Sequence, residues 1–286
     1  MVKQKAKIFL LFIIFCVLAV SGCRIDLLGV FASSDLDERL KERDVFNYLI
    51  DSGKGRDWTS LGLAMDFRFL VITDTHIEDG EAWGLEKLAD VIAANNSIAA
   101  NPQIEFAVFL GDITQFGAGK DIDKFIEIAD LLGVPCYPVI GNHDVYFRNW
   151  TVWKEKIGST SYRINGGSAT LFVLDSANSF FGKDQLDWLE RELRTANGKV
   201  FVFTHSPLFV KGPADMQQIT DTKERARVIS ILRNKCEIMF MGHAHKQFSN
   251  EAGNVKYIAF EDFKSTQTYC MVSVESGNVT YSFGNL

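Results

Sequence analysis

The stretch Phe67-Arg68-Phe69-Leu70-Val71-Ile72-Thr73-Asp74-Thr75-His76 is an apolar run that stops on an acid and an imidazole. Its β-branched and aromatic content predicts a strand over Phe67–Thr73, so Asp74 and His76 fall at the strand's C-terminal end. Four more runs have the same form. Ile104–Leu110 leads into Gly111-Asp112, and Cys136–Ile140 into Gly141-Asn142-His143-Asp144. Val200–Phe203 leads into Thr204-His205, and Glu237–Met241 into Gly242-His243-Ala244-His245. All five histidines of the chain lie in these tails.

Amphipathic stretches separate the runs and predict helices over Leu85–Ile98, Ile122–Leu132, Trp150–Ile157, Gln185–Thr195 and Thr222–Asn234. Tyr162–Ile164 and Ala169–Leu174 read as an antiparallel pair around Gly166-Gly167, and Val255–Phe260, Tyr269–Val274 and Val279–Phe283 as short strands. Alternating β and α predicts an α/β fold with mainly parallel central strands, and the surplus strands a second sheet or a long mixed one. Ser206–Thr222 lacks a period and reads as a loop able to overhang a site.

Ligands bind an open α/β sheet outside the carboxyl ends of its strands. Asp74/His76 and His243/His245 are each spaced i, i+2, which on extended chain puts both side chains on one face. The glycines before Asp112, Asn142 and His243 allow sharp turns and close backbone approach. Imidazole, carboxylate and amide oxygen without thiolate suit divalent Mn, Fe or Zn. Seven candidate ligands exceed the needs of one catalytic ion, whereas two ions sharing a carboxylate fit the count.

In this order, Asp-x-His, Gly-Asp, Gly-Asn-His-Asp, His and Gly-His-x-His resemble the motif series of the calcineurin-like metallophosphoesterase superfamily over about residues 66–250. The resemblance implies a four-layer αββα sandwich: two mixed β-sheets flanked by helices, with a dinuclear metal site at the C-terminal ends of the strands. It implies one ion held by Asp74, His76, Asp112 and His245, and a second by Asp112, Asn142, His205 and His243. It casts His143 as general acid or phosphate-binding group, with Asp144 orienting it. The expected reaction is hydrolysis of a phosphodiester, or of a phosphomonoester, by a hydroxide bridging two divalent ions. Val173-Leu174-Asp175-Ser176 followed by Asp184-Gln185-Leu186-Asp187-Trp188-Leu189 is similar to the cyclic-nucleotide-phosphodiesterase-like and purple-acid-phosphatase-like branch. Plain packing accounts for the same residues, with Asp184 capping a helix whose Leu186, Trp188 and Leu189 enter the core. The alternatives are a non-catalytic metal-loaded binding module on the same fold and an exported nuclease.

The first residues carry Lys3, Lys5 and Lys7 before an unbroken apolar run, Ile8–Val20. That run is shorter than the about 20 residues of a membrane span and reads as a secretory signal. Val20-Ser21-Gly22-Cys23 resembles a bacterial lipobox, so residues 1–22 are expected to be cleaved and Cys23 acylated. Residues 23–65 would then be a tether and an N-terminal helix (Ser34–Ser52, with Ser34 and Asp37 as a capping box), and 66–286 the phosphoesterase domain. Loss of residues 1–22 takes the net charge from −6 to −9, against non-specific nucleic-acid binding. With 47% hydrophobic and 23% charged residues, wholesale disorder is excluded. Cys136, Cys236 and Cys270 are widely spaced beside apolar runs and read as buried thiols. An exported, membrane-anchored enzyme would meet a phosphoester small molecule or a lipid or cell-wall phosphodiester. Gln115, Phe116, Lys120, Tyr146, Phe147, Arg148 and Lys211 are the candidate substrate contacts.

Overall fold

The apolar runs become the parallel centres of two sheets. The computed structural model describes residues 36–41, 61–146, 149–210 and 218–286. In chain order the elements are α1 (Leu36–Leu40), β1 (Phe67–Ile72), a 3₁₀ turn (Leu85–Lys87), α2 (Leu88–Asn96), β2 (Ile104–Leu110), α3 (Gly119–Leu131) and β3 (Cys136–Val139). A second 3₁₀ turn (His143–Val145), α4 (Trp150–Lys156), β4 (Tyr162–Asn165), β5 (Ala169–Leu174), α5 (Lys183–Glu192) and β6 (Lys199–Thr204) follow. The chain ends with α6 (Thr222–Leu232), β7 (Ile238–Met241), β8 (Phe248–Ala252), β9 (Val255–Ala259), α7 (Phe263–Thr266), β10 (Thr268–Glu275) and β11 (Asn278–Asn285).

The first sheet has the order β11-β10-β1-β2-β3 and the second β4-β5-β6-β7-β9-β8. β1–β2–β3 and β5–β6–β7–β9 are parallel, and the outer pairings are antiparallel. Strand alternation divides the apolar side chains between layers. Phe67, Phe69 and Val71 of β1 face the second sheet, whereas Leu70 and Ile72 face the helices. The layer between the sheets is aromatic: the Phe69 ring stacks on Phe106 at 4.6 Å and meets the edge of Phe201 at 5.1 Å. α2, α3 and α4 cover the outer face of the first sheet through Leu88, Ile92, Phe125 and Trp153. α5 and α6 cover the second through Leu186, Trp188, Leu189, Val228 and Leu232. The result is the four-layer αββα sandwich.

Two local expectations are corrected. Asp184 is not the cap of its helix: Gly182 holds that position, and Asp184 lies in the first turn. There a carboxylate still favours the helix dipole. β8 escaped the sequence reading because its residues alternate between half-buried and exposed at a sheet edge. It pairs with β9 across Gly253-Asn254, both at positive φ, the geometry of a tight hairpin turn.

Cys136, Cys236 and Cys270 are free and buried, and burial pushes the Cys236 and Cys270 thiols up. The signal segment, Cys23, most of the tether, Ser34 and the part of the expected helix after Lys41 lie outside the described residues, as do Phe147, Arg148 and Lys211. Leu61 N donates to Asn165 O at 2.8 Å, which ties the chain ahead of β1 to the edge of the second sheet. Among the described residues no helix is long and apolar enough to cross a membrane.

Phe69→Ala would open a void between the sheets. It is expected to lower stability by about 3–5 kcal/mol, read from a denaturant titration.

Candidate metal centre

Each ligand candidate follows the last residue of a strand by a few positions, and the backbone there is bent hard. Asp74, His76, Asp112, His243 and His245 all have φ between 43° and 65°. Non-glycine residues rarely occupy this left-handed region, and such strain concentrates at functional sites. The turn brings Asp74 N onto Gly111 O and His76 N onto Asp112 O, at 3.2 and 2.9 Å, so the tails of β1 and β2 stay joined past the strands. Gly141 serves close approach: a Cβ there would lie 2.2 Å from the Asp112 amide nitrogen.

The side chains converge in two clusters. Asp74, His76 and His245 form one, and Asp112, His205 and His243 the other; His76 and Asp112 also group with His143. In the first, His245 Nε2 lies 3.1 Å and His76 Nε2 3.9 Å from Asp74 Oδ1. In the second, His205 Nε2 lies 3.1 Å from Asp112 Oδ2, 3.2 Å from Asn142 Oδ1 and 3.2 Å from His243 Nδ1. All seven expected ligands are therefore together. Six are buried, and His245, its side chain 43% exposed, opens the site to solvent.

The electrostatics favour a cation. Asp74 and Asp112 are fully buried, and among the described residues no lysine or arginine pairs with either. Burial alone would raise the Asp112 carboxyl, but the charges of His205 and His143 hold it well below the usual range. For His205 burial opposes the charged ring, and Asp112 outweighs it, lifting the imidazole to about 9. Burial pushes His76 and His243 down, which leaves their lone pairs available. Both ring nitrogens of His76 are buried without a hydrogen-bond partner. Buried polar atoms ordinarily find partners, and a divalent ion supplies one. The donor set thus fits two ions of the Mn, Fe or Zn kind.

Neighbours fix the ligands. His205 Nδ1–H donates to Leu110 O at 2.7 Å, which aims Nε2 at Asp112. Asn142 Nδ2 donates to Tyr146 Oη at 2.8 Å, which turns its Oδ1 toward His205. The Thr73 hydroxyl and the His243 amide both donate to Asp74 Oδ2, and the His143 amide donates to Asp112 Oδ1. Trp83 Nε1 donates to His76 O, and His245 Nδ1 lies 3.6 Å from Asp262.

His143 stands at the rim. Its Nδ1–H donates to Gln115 O at 2.8 Å, and its Nε2 lies 3.9 Å from Asp112 Oδ2. The expectation that Asp144 orients this ring is corrected. The Asp144 carboxylate accepts from Thr114 N, Thr114 Oγ1 and Gly141 N at 2.9–3.0 Å and from Ile113 N at 3.3 Å. It staples the loop after β2 to the loop after β3, and burial with repulsion from Asp112 pushes it up to about 7. The backbone carbonyl of Gln115 orients His143 instead.

A family model for calcineurin-like phosphoesterases matches residues 67–247. The chain belongs to that family. A probable cyclic nucleotide phosphodiesterase of Fibrobacter succinogenes is 30% identical over 188 residues, 62% of this chain and 72% of that one. A probable glycerophosphodiester phosphodiesterase of Arcobacter nitrofigilis is 28% identical over 61% of this chain and 70% of its own length. A dimetal phosphatase from Danio rerio superposes with a TM-score of 0.58 at 16% identity, covering 76% of this chain and 95% of that chain. That last likeness shows the fold.

Of the expected substrate contacts, Gln115 and Tyr146 serve the site as supports, and Phe116 lies exposed nearby. Lys120 pairs with exposed Asp79. The sequence reading missed Asp262, although it follows the apolar run Val255–Phe260 just as Asp112 follows Ile104–Leu110.

Asp112 groups with His76 as well as with His205 and His243, so Asp112→Ala is expected to abolish high-affinity uptake of both ions, whereas His76→Ala loses one. Metal analysis after dialysis distinguishes them, and equal loss from both variants would contradict the shared-ligand geometry.

Proposed function

We propose that this chain hydrolyses phosphoesters, diesters in preference to monoesters, at a centre of two divalent ions. Asp74, His76, Asp112 and His245 would hold one, and Asp112, Asn142, His205 and His243 the other. The observation that carries this reading is that Asp112 groups with His205 and His243 and also with His76, a member of the Asp74 cluster. The probable phosphodiesterases among its relatives support the preference for diesters. Bound ions supply Lewis acidity and lower the pKa of water.

The chain's own residues account for the rest. With Nδ1–H committed to Gln115 O, His143 presents Nε2 to the side where Asp112 Oδ2 lies. A proton on Nε2 is placed to pass to a departing alkoxide or to hydrogen-bond a phosphate oxygen. Its ring, 24% exposed, can meet a substrate entering past His245. Asp144 keeps the loops carrying Asp112 and His143 in register and makes no contact with substrate in this scheme.

His143→Ala is expected to lower turnover of an aryl phosphodiester about 10²–10⁴-fold with both ions still bound. Loss of an ion from that variant would make His143 a ligand. Absence of turnover by wild-type protein holding two ions would favour the binding-module reading.

The proposal includes export and acylation at Cys23, with residues 1–22 removed, which would present the centre to nucleotides, lipid head groups or cell-wall phosphodiesters outside the cytoplasm. Cys23→Ser is expected to move the protein from the membrane to the soluble fraction, and intact mass would show the loss of acyl chains. An unchanged distribution would exclude this anchor.

A further inference from the structure

α1 is only five residues long, yet Arg39 on it is completely buried. A buried guanidinium needs charge and hydrogen-bond compensation, and loop 175–179 after β5 provides it. Arg39 Nε donates to Asp175 Oδ2 at 2.7 Å, and Nη2 donates to Asp175 Oδ1 at 2.9 Å and to Asn178 Oδ1 at 2.6 Å. Asp175 is itself fully buried, and its Oδ1 also accepts from Ala177 N at 3.1 Å. Leu36 packs beside Gly182, where a Cβ would lie 2.9 Å from Leu36 Cδ2. The docked segment therefore orders a loop 136 residues further along the chain.

The other face of that loop reaches a proposed ligand. Ser176 Oγ accepts from Ser206 N and from Thr204 Oγ1, each at 2.8 Å, and Ser206 Oγ donates to Ser176 O at 2.9 Å. Thr204 and Ser206 are the two neighbours of His205. Ser176 thus holds the Thr204 hydroxyl on one side of His205 and the Ser206 amide and hydroxyl on the other, while Leu110 O sets the rotation of the His205 ring.

We propose that Arg39 is a positioning residue for the metal centre: by neutralising Asp175 it holds Ser176 where it fixes the two residues that flank His205. The inference rests on the two-ion reading above and adds to it a part of the chain outside the matched family segment. It predicts a selective effect, because His205 belongs to only one of the two ligand sets. Gln185 brackets the Asp175 peptide from both sides at 2.8 Å, so the loop has a second anchor and the Arg39 variant should still fold.

The test is calorimetric titration of the full chain with Mn²⁺, beside the visible spectrum of the Co²⁺-loaded protein. Arg39→Met is expected to weaken one ion by about 10-fold or more, leave the other unchanged and alter the Co²⁺ bands of the weakened site. Adding Asp175→Asn to that variant removes the unpaired carboxylate and is expected to restore the affinity. Folded Arg39→Met with both affinities at the wild-type level, or weakened equally, would overturn the proposal and leave Arg39 a stability residue. If Arg39→Met does not fold by circular dichroism, Ser176→Ala decides: selective weakening of one ion supports the link and unchanged affinities sink it. Wild-type protein that binds no ion would instead overturn the two-ion reading, and with it this proposal.

Discussion

Asp112 is a carboxylate with almost no solvent, set among imidazoles where the two sheets meet. A buried charge in that position is tolerable only with opposite charge close by, and His205 provides it at 3.1 Å. The arrangement depends on the alignment of the sheets. Asp74 and His76 follow β1 and Asp112 follows β2 in one sheet, while His205 follows β6 and His243 and His245 follow β7 in the other. Each ligand cluster takes members from both. The aromatic layer around Phe69 and Phe203 sets the spacing over which these side chains meet, and the left-handed backbone at five of them aims them inward.

One short connection organises much of the centre. Between Leu110 and Gln115 the chain supplies the carbonyl that aims His205, the buried Asp112 carboxylate, the Thr114 groups that hold Asp144 and the carbonyl that aims His143. Backbone groups on a loop pinned at both ends cannot swing as side chains do, so the imidazoles inherit the precision of the sheet.

Most of the centre was legible because its signature is local. An apolar run that ends on Asp or His declares both the strand and the tail in which a ligand can stand, and the repeated pattern pointed to a common edge. What stayed hidden depends on distant partners. Asp144 beside His143 suggested a pair, yet its donors are Gly141 N and groups of Thr114 and Ile113, the latter some thirty residues away. No sequence pattern singles out Arg39, and only the fold reveals Asp175 opposite it. β8 was obscured by its polar edge, and the insertion of β10 between β11 and β1 is encoded in no local pattern.

That insertion governs the order of events in biosynthesis. Phe67 of β1 lies opposite Val274 of β10, and β10 in turn pairs along its whole length with β11. A ribosome that has translated as far as His245 has delivered every proposed ligand but not the strand that flanks β1. Pairings across such sequence distances form slowly and late. Until the last hairpin emerges, the backbone edge of β1 that β10 later covers stays unpaired, and an unpaired edge beside an aromatic face is where a nascent chain is open to wrong strand pairing.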